Sequence, residues 1–136
     1  MHPGTCILLV DDDPDLRELV RELLTADDYT VITAADGFAA LKMLKTFQID
    51  LLLSDLQMPD MDGVDLIKRA REANPTLVGV LLTAAPTDDP EATMKAAGAS
   101  ALLIKPSDLD HLGTIIELAL RRAQVLDAGP PAAPAG

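Results

Sequence analysis

The sequence predicts one doubly wound α/β domain, a parallel sheet with helices on both faces. Short apolar runs alternate with amphipathic helical segments five times along the chain, which is typical of this fold class. The apolar runs lack a strict alternation of apolar and polar residues, which indicates strands covered on both faces. A chain of 136 residues, with 49% hydrophobic and 24% charged residues, is suited to a single globular core.

The first strand and helix are indicated by their boundary residues. Residues 7–10 form an apolar run, and Asp13 is a good N-cap with Pro14 at the first helical position. The helix carries an apolar stripe at helical spacing, which is expected to face the sheet. The stripe consists of Leu16, Leu19, Val20, Leu23 and Leu24.

The middle of the chain repeats this strand and helix pattern. Residues 30–34 form a strand rich in β-branched side chains. A helix over about residues 37–46 is expected to bury Leu41 and Leu44. Residues 51–54 then form a fully apolar strand.

The second half of the chain completes the series. A loop at residues 58–63 is marked by Pro and Gly, and a helix over about 64–73 turns Leu66, Ile67 and Ala70 inward. The remaining predicted elements are a strand at 78–82, a helix within 89–97, a strand at 101–104 and a last helix over about 109–126.

The composition argues against several classes of protein. A net charge of −11, from 22 acidic and 11 basic residues, disfavours direct nucleic-acid binding, which depends on Lys and Arg neutralising phosphates. The single cysteine, Cys6, has no disulfide partner and is expected to be a buried, inert thiol. Neither a signal segment nor a membrane-length apolar run is present, which predicts a cytoplasmic protein without membrane contact.

The carboxyl-terminal residues are expected to lie outside the folded domain. Residues 127–136 have little apolar bulk and too much Pro for a helix, which predicts a disordered tail or the stump of a linker. The predicted domain is therefore 5–126. The Met1 start favours a native amino terminus.

Acidic and polar residues follow four of the predicted strands. Asp11 and Asp12 follow the first strand, Asp55 the third, Thr83 the fourth and Lys105 the fifth. The carboxyl ends of parallel strands meet at one edge of a sheet, where open α/β folds bind their ligands. Crowded carboxylates would raise one another's pKa without a cation. These groups therefore predict a site for a divalent cation and a phosphoryl group.

The motifs resemble those of the response-regulator receiver domain of two-component signalling, over about residues 6–126. The matching segments are residues 10–14 (VDDDP), 54–63 (SDLQMPDMDG), 82–84 (LTA) and 105–106 (KP). Their order and spacing make the resemblance specific. It implies a flavodoxin-like sheet in the order 2-1-3-4-5 with its site at the strand carboxyl ends. It also implies a phosphorylated switch, which acts only on itself, and no enzyme with external turnover.

The resemblance implies a cation site at this edge. Asp55 is implied to be both the phosphoacceptor and a metal ligand, and Asp12 a direct ligand. Asp11 is implied to act mainly through water, and the backbone carbonyl of Gln57 to complete the protein ligands. Oxygen ligands with retained waters suit Mg²⁺, with Mn²⁺ as the alternative ion.

The resemblance also implies phosphoryl contacts and partners. Lys105 would supply a point charge and Thr83 a hydroxyl donor, and Pro106 would follow a cis peptide that aims Lys105 into the site. The implied phosphodonor is a histidine kinase or a phosphotransfer protein, and the implied output is contact with a downstream protein target. A stand-alone regulator and a receiver cut from a larger regulator or hybrid kinase both fit.

The acidic loop also permits structural readings. Asp60, Asp62 and Gly63 are interpreted as turn formers. Met58 and Met61 are either part of a partner surface or loop filler, and the sequence favours neither reading.

The sequence departs from the family pattern at two positions. Leu102 stands where receivers commonly have Tyr or Phe, and Ser107 where Phe often follows the Lys-Pro pair. Gln57 and Ala85 occupy the positions that influence phosphoryl lifetime in the family. Without the usual aromatic side chain, the readout is expected to depend on the loop at residues 84–89 and the start of the fourth helix.

Two other function classes remain as alternatives. A haloacid dehalogenase-type phosphatase would use Asp11 and Asp13 as its Asp-x-Asp pair, but it needs Thr or Val at Asp15 and leaves Asp55 and Lys105 unexplained. A pseudo-receiver would bind proteins without ever accepting phosphate, and the intact acidic set argues against it. Turnover of a phosphomonoester would favour the phosphatase. Failure to accept phosphate with Mg²⁺ present would favour the pseudo-receiver.

Overall fold

A computed structural model describes residues 4–84, 87–105 and 107–127, and these form a five-stranded parallel sheet flanked by five α-helices. The predicted fold class is therefore confirmed. The strands are β1 (Cys6–Val10), β2 (Thr30–Ala34), β3 (Leu51–Asp55), β4 (Val78–Thr83) and β5 (Ala101–Ile104). The helices are α1 (Pro14–Ala26), α2 (Gly37–Thr46), α3 (Gly63–Ala73), α4 (Pro90–Ala97) and α5 (Leu112–Asp127).

The strand order is β2-β1-β3-β4-β5, as the resemblance to receiver domains implied. All four pairings are parallel, and the register aligns Val10 of β1 with Ser54 of β3. The order reverses between β1 and β3, and such a reversal opens a crevice outside the carboxyl ends of the strands. The residues that follow β1 and β3 therefore lie at the ligand-binding edge.

Two aliphatic cores cover the two faces of the sheet. Ile7 and Leu9 of β1 pack with α1 and α5, whereas Leu8 and Val10 pack with α2, α3 and α4. Side chains alternate between the faces along a strand, so both faces of β1 must be apolar. This explains why the strands read as continuous apolar runs.

Acidic N-caps fix the starts of four helices. Asp13 accepts hydrogen bonds from the backbone N–H groups of Asp15 at 3.0 Å and Leu16 at 3.3 Å, with Pro14 as the first helical residue. Asp36, Asp62 and Asp89 cap α2, α3 and α4 in the same way. A side-chain cap of this kind is worth about 1 kcal/mol.

The last helix begins later than predicted. Residues Ser107–His111 form a 3₁₀ helix, and α5 starts only at Leu112. The Asp108 carboxylate accepts the backbone N–H of Ile104 at 2.8 Å, which ties the 3₁₀ helix to the last residue of β5. The α5 helix also includes Asp127, one residue of the predicted tail. The rest of that tail, 128–136, lies outside the described residues.

Several apolar side chains that were predicted to be buried are exposed or only half-buried. Val20 and Leu24 of α1 are fully buried, but Leu19 is 45% and Leu23 38% exposed. Each exposed leucine precedes a buried residue by one position, about 100° around the helix, so the contact face is narrower than the apolar stripe. Leu41, Leu44 and Cys6 are only half-buried, because they lie at the margins of the core.

Arg71 joins three segments at the amino-terminal edge of the sheet. Its guanidinium donates to the carbonyls of Leu77 at 3.0 Å, Gly98 at 3.0 Å and Pro75 at 3.1 Å. Gly98 ends α4 with a φ of 73°, a conformation that favours glycine. These bonds hold the carboxyl-terminal end of α4 against the end of α3 and the start of β4.

Tyr29 is expected to make stability fall at alkaline pH. Burial, followed by the charges of Glu117 and Asp27, raises the pKa of Tyr29 to about 12, whereas an unfolded tyrosine titrates near pH 10. Between these values only the unfolded chain releases this proton, so the free energy of unfolding decreases as pH rises. The free energy of unfolding of the parent should therefore decrease relative to that of Tyr29→Phe between about pH 10 and 12, measured by urea unfolding. A constant difference across that range would contradict the assignment.

Candidate metal and phosphoryl site

Three carboxylates meet at the reversal of strand order. Asp11 follows the last residue of β1, Asp12 is the next residue, and Asp55 is the last residue of β3. One carboxylate oxygen from each lies within 4.8 Å of the others. Asp11 and Asp55 are buried and Asp12 is exposed, so the cluster is open to solvent on one side.

Lys105 enters the same site from the residue after β5. Its ammonium nitrogen Nζ lies 3.3 Å from Asp11 Oδ2 and 3.3 Å from Asp55 Oδ2, and the lysine is buried. The backbone N–H of Lys105 donates to the carbonyl of Thr83 at 2.7 Å, which ties its strand end to that of β4. One buried cation thus faces two buried carboxylates.

Burial raises the pKa of the Asp55 carboxyl above its usual value. The ammonium of Lys105 opposes this shift, and the negative charge of Asp11 adds to it. The backbone N–H of Gln57 donates to Asp55 Oδ1 at 3.2 Å and also favours the charged form. Further positive charge beside Asp55 would therefore stabilise its carboxylate.

Local backbone contacts orient Asp11. Its Oδ1 accepts the N–H of Asp13 at 2.9 Å, and its carbonyl accepts from Arg17 Nη1 at 2.7 Å. Arg17 was not predicted to contact the site, because in sequence an arginine in the first turns of an amphipathic helix is indistinguishable from a solvated surface residue. Asp13 itself caps α1 and is exposed, in agreement with its predicted structural role.

The loop after Asp55 packs closely against the site. Gly63 was predicted to be a turn former, but it is the buried first residue of α3 and has no positive φ. A Cβ at this position would overlap the carbonyl oxygen of Asp55, so glycine is required for close approach. Asp60 does adopt a turn conformation, with a φ of 71°, and Asp62 caps α3.

The two methionines of this loop differ in their environments. Met61 is 3% exposed and packs over Gly37, so it fills space in the core on the α2 side. Met58 is half-buried against the same core. The loop-filler interpretation therefore describes Met61.

The remaining predicted residues lie around the cluster. Thr83 is buried as the last residue of β4, and Gln57 is exposed beside Asp55. Leu102 is half-buried against the core that contacts α2, α3 and α4, and Ser107 begins the 3₁₀ helix in an exposed position. Ala85 and Pro106, with its expected cis peptide, lie outside the described residues.

The donor set matches a hard divalent cation. It consists of carboxylate oxygens, with no histidine or thiol in the cluster among the described residues. Such oxygen donors select Mg²⁺, Ca²⁺ or Mn²⁺, and a site with few protein ligands leaves room for the waters that Mg²⁺ retains. The adjacent ammonium would attract a ligand with its own negative charge, as a phosphoryl group has.

A family model described as the response regulator receiver domain matches residues 7–117 of the chain. Two curated relatives from Escherichia coli (strain K12) are transcriptional regulatory proteins. GlrR is 35% identical over 122 residues, which is 90% of this chain and 28% of that protein. CpxR is 40% identical over 117 residues, which is 86% of this chain and 50% of that protein. The chain thus spans half or less of these two relatives.

Solved structures also resemble this fold. The response regulator protein TrrA from Thermotoga maritima, in complex with Mg²⁺-BeF, has a TM-score of 0.77 at 30% identity, covering 85% of this chain and 98% of that one. A CheY-like receiver domain protein from Methanospirillum hungatei has a TM-score of 0.81 at 27% identity, with coverages of 88% and 96%. Within the described residues, no helix is long and apolar enough to cross a membrane.

Proposed function

This chain belongs to the response regulator receiver family, and we propose that Asp55 accepts a phosphoryl group from a phosphohistidine of a histidine kinase or phosphotransfer protein. Receiver domains of two-component systems are signalling switches that interact with histidine kinases. The observation that carries the proposal is the Asp55 carboxylate beside Asp11, Asp12 and the buried Lys105 ammonium.

The transfer requires a nucleophile that can approach a dense negative charge. An Asp55 oxygen would form a bond to phosphorus as the bond from phosphorus to the imidazole nitrogen breaks, with the imidazole as leaving group. Lys105 would then neutralise a phosphoryl oxygen, since its ammonium already lies 3.3 Å from Asp55 Oδ2. Thr83 would donate its hydroxyl to another oxygen of the aspartyl phosphate.

Mg²⁺ fits the donor set, and Asp11, Asp12, Asp55 and the backbone carbonyl of Gln57 would hold it, with Mn²⁺ as an alternative. When bound, the ion would supply positive charge at the site and so reduce the repulsion between an anionic nucleophile and an anionic phosphoryl group. Burial raises the pKa of Asp55 and therefore disfavours its ionised form. A bound cation would favour the ionised carboxylate, which is the nucleophile.

Incubation with acetyl phosphate tests the proposed function without a kinase. The intact mass of the chain should rise by one phosphoryl group when Mg²⁺ is present and not when EDTA replaces it. Hydroxylamine should remove the label, because an acyl phosphate is open to nucleophilic attack whereas a phosphoserine ester is stable. Absence of label under conditions that label another receiver would support the pseudo-receiver alternative.

The phosphatase alternative conflicts with the position of Asp13. That reading needs Asp13 in the reacting site, but its carboxylate caps α1 and is exposed. We therefore infer that the chain turns over no external phosphomonoester and acts only on its own aspartyl phosphate. Steady release of phosphate from a phosphomonoester, lost in Asp13→Asn, would reverse this inference.

We further propose that the domain covers residues 5–127, since α5 extends to Asp127, and that residues 128–136 are a tail or linker. We also propose that output passes to a protein in the cytoplasm. The chain's net charge of −11 argues against direct contact with nucleic acid. The two relatives compared above are transcriptional regulators longer than this chain, so a DNA-binding partner or a further domain is compatible with this proposal.

Mg²⁺ is expected to stabilise the fold. It would relieve repulsion among three carboxylates that lie within 4.8 Å of one another in the folded chain only. At tenfold excess over its dissociation constant, a folded-state ligand contributes about 1.4 kcal/mol, or about 4 °C in melting temperature for a domain of this size. Asp12→Ala should lose most of this increase, while Asp13→Asn should keep it. A melting temperature that does not respond to millimolar Mg²⁺ would argue against the cation site.

A further inference from the structure

A cavity of about 460 Å³ lies between the carboxyl-terminal ends of α2 and α3, beside the start of β3. We call it the α2–α3 cavity. Its wall includes the apolar side chains of Leu41, Leu44, Phe47 and Ile49, and the cations Lys45 and Arg69 stand beside them. A cavity with an apolar wall and few charged groups is the usual form of a small binding site.

The segment that forms one wall of the cavity has an unusual composition. Residues 37–49 contain two lysines and both phenylalanines of the chain, and none of its 22 acidic residues. Phe47, which lines the cavity, is 46% exposed, and Phe38, near the start of α2 and outside the lining, is 53% exposed, whereas the cores are almost entirely aliphatic. Aromatic side chains are enriched at interfaces, where they anchor into or around a partner.

The charge of the cavity is opposite in sign to that of the chain. Lys45 and Arg69 line it, and Asp50 is the single acidic residue among its described lining residues. The Asp50 carboxylate already accepts the backbone N–H of Cys6 at 2.8 Å, and its own N–H donates to the Cys6 carbonyl at 2.9 Å. Asp50 therefore has a structural role at the edge of the sheet, and the lysine and arginine are available to a ligand.

The cavity is separate from the phosphoryl site. It lies at the start of β3, whereas Asp55 ends that strand, at the opposite edge of the sheet. Its occupant thus need not carry a phosphoryl group. Nucleic acid is disfavoured as the occupant, because its binding depends on many Lys and Arg contacts to phosphates and the described lining contains two basic residues, Lys45 and Arg69.

We propose that the α2–α3 cavity binds an acidic peptide segment of another protein. An apolar side chain of that segment enters between Leu44 and Phe47, and its carboxylates pair with Lys45 and Arg69. Both cations are exposed, so their ion pairs would provide selectivity for the sign of the charge, with the apolar contact as the anchor.

The probe for this proposal is an acetylated hexapeptide with two central leucines flanked by two glutamates on each side. Added to the ¹⁵N-labelled chain, it should shift the amide signals of residues 41–50 and 69–76 in a saturable manner. A peptide with lysines in place of the glutamates should not. Phe47→Ala should weaken binding, and Lys45→Glu combined with Arg69→Glu should weaken it about tenfold or more.

Lys95→Glu provides the matched control, because Lys95 lines a different basic groove with Arg71 and Arg122. It should leave binding unchanged. The replaced side chains are largely exposed, so thermal melts should verify that every variant folds. Equal binding of both peptides, shifts centred on the Lys95 groove, unaltered binding by the double variant, or no shift up to millimolar peptide would each overturn the proposal.

Discussion

Replacing Asp55 with asparagine is expected to abolish phosphoryl uptake from acetyl phosphate. The amide has nearly the shape of the carboxylate but no anionic oxygen to attack phosphorus, so the covalent step itself is removed. Intact-mass measurement in the presence of Mg²⁺ should show one added phosphoryl group on the parent chain and none on Asp55→Asn.

The loss should occur without a loss of fold. Burial and the charge of Asp11 raise the pKa of Asp55, which means that the folded chain disfavours its ionised form. Such a group reduces the free energy of unfolding at neutral pH, and the effect fades as pH falls through the folded pKa. A neutral asparagine carries no such penalty, and Lys105 still contacts Asp11 at 3.3 Å. The melting temperature of Asp55→Asn without Mg²⁺ should therefore equal or exceed that of the parent.

Asp13→Asn is the matched control for this substitution. Asp13 is only two residues from Asp11, but its carboxylate caps α1, and asparagine caps a helix equally well. This variant should be labelled as the parent is. Equal labelling of Asp55→Asn and the parent would show that another residue accepts the phosphoryl group.

The convergence of the site followed from the sequence because parallel strands impose it. Each polar residue was located relative to an apolar run, and the fold brings all strand carboxyl ends to one edge. Lys105 therefore contacts both Asp11 and Asp55, although 94 positions separate it from Asp11. Their convergence can therefore be predicted from the strand ends alone, whatever the conformation of the connecting loops.

Features that depend on three-dimensional packing were not predictable from the sequence. Helical periodicity marks five apolar positions in α1, but the depth of its contact with the sheet leaves Leu19 and Leu23 exposed. The contact of Gly63 with the Asp55 carbonyl depends on how α3 approaches β3. In sequence, a glycine before a helix is equally consistent with a turn and with a close packing contact. The exposure of Phe47 depends likewise on where α2 ends.

The second large effect is expected in the segment that connects β4 to α4. Thr83 is the last residue of β4, at the strand edge that carries the proposed site, and Leu102 has no ring to reorient and no polar tip to expose. A signal passes only through an element whose free energy differs between the two states. The hydroxyl of Thr87 is buried without a hydrogen-bond partner among the described residues. An unsatisfied buried hydroxyl costs about 1–3 kcal/mol, so a rearrangement that satisfies it would be favoured.

The two ends of α4 differ in how firmly they are held. Arg71 donates to the carbonyl of Gly98 at 3.0 Å and fixes the carboxyl-terminal end to α3 and β4. At its amino-terminal end, α4 begins at Pro90, three residues after Thr87, and residues 88–92 are exposed. Displacement of Thr83 toward a phosphoryl group should therefore move the start of α4 around a fixed end.

Addition of beryllium fluoride and Mg²⁺, a phosphoryl mimic, should thus change backbone chemical shifts most between residues 83 and 94. Leu102→Val should leave this pattern nearly intact, because Leu102 is a half-buried aliphatic side chain packed against the core that contacts α2, α3 and α4, and valine keeps that apolar contact. Asp55→Asn should remove the response entirely, which separates a switch from simple salt effects. Thr87→Val should reduce the changes, because it removes the hydroxyl that gains a partner in the rearranged loop. Large changes centred on Leu102 that disappear in Leu102→Val, with a loop that does not respond, would contradict a readout through the β4–α4 segment.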